Sequence, residues 1–147
     1  NVALGCDGGP SNNAYDMITE MKLAACIHKV RSYDPMTMPA ETVLEMATVG
    51  GARAVGMEDK LGTLAPGKLA DIVLVNLDSV NMVPNNNYIS DLVYAGCGAD
   101  VDTVIIDGEI VMEQRNVRTL NEQEVIQQAR ERASSLLART GLNPITV

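Results

Sequence analysis

The opening stretch NVALGCDGGPSNN constrains the fold more than any other part of the chain. The run from Val2 to Cys6 consists of apolar and small residues, and it predicts a short buried strand. Asp7 follows directly, at the start of a polar loop rich in glycine and proline. A single strand cannot satisfy its own backbone N–H and C=O groups. We therefore expect this strand to belong to a sheet whose other strands lie upstream of the printed sequence.

Composition limits the class of protein. The 147 residues suit one ordinary domain, and a hydrophobic content of 46% is sufficient for a core. The formal net charge of -8 is spread along the chain, which argues against nucleic-acid binding because that needs clustered Lys and Arg. No apolar stretch approaches the ~20 residues of a membrane span, and no signal peptide is visible. We expect a cytoplasmic protein with no membrane partner.

The three cysteines are Cys6, Cys26 and Cys97. They are odd in number and lack CxxC spacing, so a disulfide framework or a cysteine zinc site is not favoured. Reduced thiols are the simpler interpretation, and they agree with a cytoplasmic location.

Two helices are predicted after the opening loop. The first covers Asp16 to Lys29, because apolar residues recur there at intervals of three and four; the predicted face consists of Met17, Met21, Ala24, Ala25 and His28. The second runs from about Pro39 to Val55, with the proline suited to a first turn. Two glycines near its end each cost roughly 1 kcal/mol against alanine, so close packing on a neighbouring segment is expected there.

From Met57 the pattern favours strands. We expect a short strand over Leu61–Leu64 and a longer one over Ala70–Leu77. A hairpin then joins Thr103–Ile106 to Ile110–Glu113, because Asp-Gly between apolar runs is the strongest short hairpin signal.

Two further segments complete the prediction. The stretch DLVYAG is ambiguous between a strand and a short helix. A last helix begins after Asn121, with Glu124 at capping-box spacing, and Gly141 ends it. One face of this helix is apolar; it consists of Val125, Ala129, Ala133 and Leu137.

Three stretches, in this order, resemble one family. They are GCDGGPSNNAYDMITEMKLAA, ETVLEMATVGGARAVGMEDKLGTLAPGKLADIVLVNLD and DLVYAGCGADVDTVIIDGEIV. Together they are similar to the C-terminal third of a metal-dependent amidohydrolase. The branch that the chain resembles holds S-adenosylhomocysteine and methylthioadenosine deaminases together with triazine chlorohydrolases.

The resemblance implies an α/β fold, a (β/α)8 barrel that carries a small β-sandwich built from both chain ends. Residues 1–56 would be the last strand and terminal helices of the barrel, with Val2 to Cys6 as the final barrel strand. Residues 57–117 would be the C-terminal part of the sandwich, and residues 118–147 a C-terminal helix and tail. The chain would then begin inside a domain, and the His-x-His pair and two further histidine ligands would lie on earlier strands.

Asp7 is the candidate catalytic residue and metal ligand. Barrel enzymes place catalytic side chains at the C-terminal ends of strands, where Asp7 is predicted. The resemblance implies one divalent metal ion, zinc in the first place with iron or manganese as alternatives, and an Asp7 that binds it and takes a proton from water. A metal makes water more acidic, and an adjacent carboxylate can accept and deliver the proton. The alternative is that Asp7 only caps the loop before the helix.

Ser11 and Asn12 are candidate substrate-binding residues in the same loop, and Asn13 follows them. Equally, all three could be turn-forming or helix-capping residues. Cys6 stands where threonine is usual in the family, and Pro10 is a second departure; both bear on substrate specificity.

Other polar residues receive structural interpretations. His28, the single histidine, is expected to be a packed or surface side chain and not a ligand. A turn is predicted at Pro66-Gly67; Lys68 and Asp71 flank it and are expected to stabilise it. No Ser-His-Asp arrangement, P-loop, dinucleotide-binding fingerprint or nucleobase zinc-deaminase pattern is present in the sequence.

The resemblance therefore predicts part of a hydrolase that deaminates or dehalogenates an aminated heterocycle, such as an adenosine derivative. The alternatives are a non-catalytic structural fragment and an amidohydrolase of another substrate class, acting on cyclic amides or other C–N bonds. One histidine cannot complete the metal site, so this chain alone is expected to be inactive. We expect residues 1–55 to pack against the remainder of the parent chain or a second copy, and the parent to be a homo-oligomer.

Overall fold

The computed structural model describes residues 1–140, and the predicted helix end at Gly141 lies outside them. Four α-helices precede the first strand, and the other two described α-helices lie between and after the strands of an antiparallel sheet. The helices are α1 (Gly9–Asn12), α2 (Met17–Ser32), α3 (Ala40–Ala47), α4 (Val49–Ala54), α5 (Tyr88–Tyr94) and α6 (Glu122–Thr140). The strands are β1 (Ile72–Val75), β2 (Val101–Ile106), β3 (Glu109–Glu113) and β4 (Asn116–Val117).

The predicted strand over Val2–Cys6 does not form in the described part of the chain. The segment has no regular structure, and one of its links to the helices is a hydrogen bond from the Leu4 N–H to the Met46 carbonyl oxygen at 3.3 Å. The reason is physical: a strand exists only through pairing with a neighbouring strand. The sheet within residues 1–140 consists of β1 to β4 and does not include this segment.

Helix α2 begins where the sequence predicts. Asp16 is its N-cap, and the Asp16 carboxylate accepts hydrogen bonds from the Ile18 N–H at 3.0 Å and the Thr19 N–H at 3.2 Å. The helix continues to Ser32, three residues beyond the predicted end, and Tyr33 in the left-handed conformation terminates it. The buried face of α2 consists of Ile18, Met21 and Ala25. His28, predicted on the apolar face, is exposed.

The predicted second helix is broken in two at Thr48. Thr48 has φ -118° and ψ -87°, and its hydroxyl donates to the Leu44 carbonyl oxygen at 2.7 Å. Such back-bonding by threonine bends helices. The glycine-rich part, α4, packs closely against the N-terminal segment: a Cβ at Gly50 would lie 2.6 Å from the Val2 carbonyl oxygen. The expected close packing of these glycines is therefore observed at Gly50.

Helix α5 resolves the ambiguous DLVYAG segment. Asn87 caps it, accepting hydrogen bonds from the Ile89 N–H at 3.1 Å and the Ser90 N–H at 3.0 Å. Helices α2, α3 and α5 meet in the main hydrophobic core. Its buried members are Ile18, Met21, Ala25, Ala40, Val43 and Val93.

The sheet has the order β1-β2-β3-β4 and is antiparallel throughout. The predicted hairpin is confirmed, with Asp107 and Gly108 at its turn. The Asp71 carboxylate accepts the Asp107 N–H at 2.8 Å, which ties the segment before β1 to this turn. Strand β4, two residues long and paired through Val117 with Met112, is too short for the sequence pattern to show.

The predicted strand over Leu61–Leu64 is absent. Instead, the side chain of Lys68 folds back on this segment: its Nζ donates to the Glu58 carbonyl oxygen at 2.6 Å and to the Leu61 carbonyl oxygen at 3.0 Å. The segment is therefore a loop closed by a lysine. Lys68 thus has a structural role, but it holds the segment of Glu58 and Leu61 and not the turn beside which it lies.

Helix α6 starts at Glu122, and the Asn121 side chain accepts the Glu124 N–H at 3.3 Å, which agrees with the predicted cap. None of its described side chains is buried. In the part of the chain that the structure describes, no helix is long and apolar enough to span a membrane.

Candidate active-site loop

Asp7 has an unusual backbone conformation. Its φ of 55° is in the left-handed region, which is uncommon for a residue with a Cβ atom. The side chain is exposed, and Oδ1 accepts the N–H of Gly8 at 2.7 Å. The carboxylate is thus presented to solvent from a constrained backbone position.

Helix α1 follows Asp7 immediately and is held by Tyr15. The Gly9 N–H donates to the Tyr15 hydroxyl at 2.7 Å. A Cβ at residue 9 would lie 2.8 Å from that oxygen, so only glycine fits without displacing the tyrosine. Asn13, with φ 62°, ends α1, and its N–H donates to the Gly9 carbonyl oxygen at 2.7 Å. Helix α1, the contact with Tyr15 and the end at Asn13 together form one short hydrogen-bonded unit after Asp7.

The structure places Ser11 and Asn12 in α1, the short helix after Asp7, but in different environments. Ser11 is exposed. Asn12 is half-buried and bonded within the protein: Nδ2 donates to the Cys6 carbonyl oxygen at 2.8 Å and to Glu20 Oε1 at 2.6 Å. The sequence pattern did not reveal the contact with Glu20, because the two residues belong to different elements.

The described residues do not form a complete metal site by themselves. Within residues 1–140, no group of three or more His, Cys, Asp or Glu side chains is arranged to hold one. Zinc accepts carboxylate oxygens alongside histidine nitrogens, so the exposed Asp7 carboxylate suits a single ligand position. Asp7 therefore fits the implied metal as one ligand. Other residues must provide the remaining ligands.

Asp16 connects the active-site region to the second half of the chain. Its Oδ2 accepts the Gly98 N–H at 2.9 Å, in addition to its bonds within α2. Partial burial opposes ionisation, but the hydrogen bonds from Thr19, Gly98 and Ile18 outweigh it, and they hold the pKa of Asp16 below its usual value. The carboxylate is thus charged at neutral pH and anchors the start of α2.

Asp100 forms a second buried anchor that the sequence analysis did not identify. Its carboxylate accepts the Asn81 amide at 2.8 Å, the Ser79 hydroxyl at 2.9 Å and the Cys97 N–H at 2.9 Å. The Asn81 bond is the largest influence on the pKa of Asp100, and with the others it outweighs desolvation and lowers the pKa. Its partners come from segments on both sides of α5 that have no periodic pattern, so no sequence signal marked it.

The sequence profile of the amidohydrolase family matches residues 1–111, and the chain belongs to that family. Its helices and antiparallel sheet are therefore a portion of an α/β amidohydrolase fold, as the resemblance implied.

Individual relatives give a more specific comparison than the family profile. The chain is 47% identical over 138 residues to the 5-methylthioadenosine/S-adenosylhomocysteine deaminase of Syntrophomonas wolfei, covering 94% of this chain and 32% of that protein. The chain thus spans about a third of the length of this curated relative.

Two solved structures share the fold. The zinc-bound adenosine deaminase of Xanthomonas campestris has a TM-score of 0.89 at 34% identity, over 92% of this chain and 31% of that one. The zinc complex of the atrazine chlorohydrolase of Arthrobacter aurescens has a TM-score of 0.77 at 25% identity, over 84% of this chain and 28% of that one.

Proposed function

We propose that the protein to which residues 1–147 belong is a zinc-dependent hydrolase that deaminates an adenosine derivative. The observation that carries the proposal is the 47% identity over 138 residues to a protein named as a methylthioadenosine and S-adenosylhomocysteine deaminase. The zinc-bound adenosine deaminase at TM-score 0.89 supports the same class of substrate and the same metal.

Asp7 provides the acid–base chemistry in this proposal. A zinc ion, when bound, would supply Lewis acidity and lower the pKa of water towards neutrality. The Asp7 carboxylate contributes an oxygen ligand, accepts a proton from the attacking water and returns it to the leaving amine, so that ammonia departs as a neutral molecule. The exposed carboxylate in a constrained loop is suited to both roles.

Ser11 and Asn12 are the proposed substrate contacts. Ser11 is exposed in the loop directly after Asp7, where its hydroxyl can donate to a ring nitrogen or a ribose oxygen. The Asn12 amide hydrogens are used within the protein, so the carbonyl oxygen of its side chain is the atom available to a substrate.

Hydrolytic dehalogenation is the second candidate. The likeness to an atrazine chlorohydrolase at TM-score 0.77 favours it, because the same attack on an aromatic carbon would expel chloride instead of ammonia. Deamination is preferred because the named deaminase is more similar in sequence, at 47% against 25% identity.

The remaining metal ligands are proposed to come from the rest of the same polypeptide, which packs against residues 1–55. Three free cysteines agree with the proposed cytoplasmic location, because reducing compartments keep thiols unpaired. The intact enzyme is proposed to form a homo-oligomer.

The test uses the full-length protein loaded with zinc. Ammonia release would be measured with methylthioadenosine, S-adenosylhomocysteine and 5'-deoxyadenosine, and chloride release with a chlorinated triazine. We expect ammonia from at least one adenosine derivative and loss of activity after chelation. Chloride release without ammonia would support the second candidate, and no turnover of either kind in a zinc-loaded sample would contradict both.

A further inference from the structure

The side chain of Asn12 joins the loop that carries Asp7 to helix α2. Its amide donates to the Cys6 carbonyl oxygen at 2.8 Å and to Glu20 Oε1 at 2.6 Å, and both contacts are partly buried. An amide NH2 group has two hydrogens, so the donor capacity of Asn12 is filled by these two acceptors. The carbonyl held in this way belongs to the residue immediately before Asp7.

Glu20 provides the fixed end of this connection. It lies in the first turn of α2, which Asp16 caps and which Ile18 and Met21 anchor in the core. Residues on helices hold their neighbours more precisely than residues on loops do. Glu20 can therefore hold the Asn12 amide in one orientation.

The backbone at Asp7 needs this external support. Its left-handed φ of 55° is unfavourable for a residue with a side chain, and such conformations persist only where the surrounding structure imposes them. The Asn12 bond holds the Cys6 carbonyl before Asp7, and the bond from Gly9 to Tyr15 holds the chain after it.

We propose that Glu20 and Asn12 are positioning residues for Asp7: Glu20 orients the Asn12 amide, which holds the Cys6 carbonyl and thereby sets where the Asp7 carboxylate points. The effect on turnover rests on the proposed function. The effects on metal affinity and on the loop depend on no particular substrate.

The experiment compares Glu20→Ala, Glu20→Gln and Asn12→Ala in the full-length protein. Glu41→Ala is the matched control, because Glu41 is likewise a first-turn acidic residue, on α3, and is exposed. Zinc affinity is measured by competition with a chromogenic chelator. Hydrogen exchange of the peptide covering residues 5–13 is followed by mass spectrometry.

We expect Glu20→Ala and Asn12→Ala to weaken zinc binding by about 10–100-fold, the range typical of partners that orient a metal ligand. Exchange in residues 5–13 should accelerate in both variants. Glu20→Gln keeps an acceptor oxygen and should stay within about threefold of the wild type, as should Glu41→Ala. With an active substrate, Glu20→Ala should lower kcat while KM changes little, because Glu20 is not a proposed substrate contact.

Zinc affinity and loop exchange in Glu20→Ala that match those of Glu41→Ala would overturn the proposal. If Glu20→Ala fails to fold, Asn12→Ala decides, because it leaves the α2 cap and core intact. A wild-type protein without deaminase activity would defeat the proposed function, whereas zinc affinity and loop exchange would still decide this inference.

Discussion

The carboxylate of Asp16 accepts a hydrogen bond from the backbone N–H of Gly98 at 2.9 Å, across 82 positions of sequence. The same carboxylate caps α2, the helix that follows the candidate loop in sequence. One side chain therefore both caps this helix and binds it to the segment before β2. Gly98 permits this approach: a Cβ there would lie 3.1 Å from Asp16 Oδ2. Local capping and long-range packing therefore depend on a single ionised group.

Stability should fall in acid because of Asp16 and Asp100. Both have a folded-state pKa below the usual value of 3.8, so their contribution is complete above that pH and is lost as the pH falls through the lower folded-state values. Thermal unfolding of the full-length protein from pH 6 to pH 2 checks this.

Asp100→Asn should lower the free energy of unfolding at pH 7 by about 1–3 kcal/mol, because an amide NH2 would face hydrogen-bond donors. The variant should also show a flatter acid dependence; an unchanged profile would contradict the assignment.

Two adjacent glycines of α4 should respond in opposite directions to alanine. At Gly50 the new Cβ would meet the Val2 carbonyl oxygen at 2.6 Å, which forces a backbone shift and should cost about 1–3 kcal/mol. At Gly51 the nearest such atom is 4.0 Å away, so alanine should stabilise the helix by about 0.5–1 kcal/mol. Denaturant unfolding of the two variants measures the difference. Equal effects would show that the N-terminal segment does not pack on Gly50.

Asp7→Asn in the full-length protein should remove most activity and little stability. Asparagine tolerates the left-handed φ of 55°, but it cannot take up a proton or carry the ligand charge. We expect a fall in kcat of about 10²–10⁴-fold, the usual contribution of general acid–base catalysis, with an unchanged melting temperature. A variant within about threefold of the wild type would exclude Asp7 from the chemistry.

The isolated 147-residue chain should bind zinc weakly and hydrolyse none of the tested compounds. The reason is that Asp7 offers one ligand, and no cluster of three or more potential ligands exists within residues 1–140. Equilibrium dialysis against zinc and the same ammonia assay test this. Turnover by a verified sample of this chain would show that the ligand set is incorrectly assigned.

The isolated chain should self-associate through exposed apolar residues of helix α2. Beside its buried face it carries a second apolar stripe, in which Leu23, Ile27 and Val30 are 48%, 52% and 73% exposed. Apolar surface of this kind marks contact with another chain or segment. Sedimentation should detect oligomers or aggregates, and Ile27→Lys should reduce them. A compact monomer with a fully protected N-terminal third in hydrogen exchange would contradict this expectation.

Some of the fold follows from short-range sequence signals. Asp107-Gly108 between apolar runs predicts the hairpin, and Asp16 and Asn121 precede helices that begin where expected, because turns and caps involve residues only a few positions apart. The sequence likewise predicted that Asp7 stands at the start of a polar loop.

Tertiary structure decided the features that depend on distant partners. Val2–Cys6 has the composition of a strand, yet no strand forms because pairing requires a neighbour that residues 1–140 do not place beside it. Apolar periodicity predicted one helix through Thr48, but the approach of Val2 to Gly50 and the back-bonding of Thr48 accompany a break. By itself the sequence determined local turns, caps and the presence of Asp7 in its loop. Two hydrogen bonds were decided only by the folded chain: the one between Asp16 and Gly98, and the one between Asn12 and Glu20. Such bonds depend on how separate elements pack and not on sequence spacing.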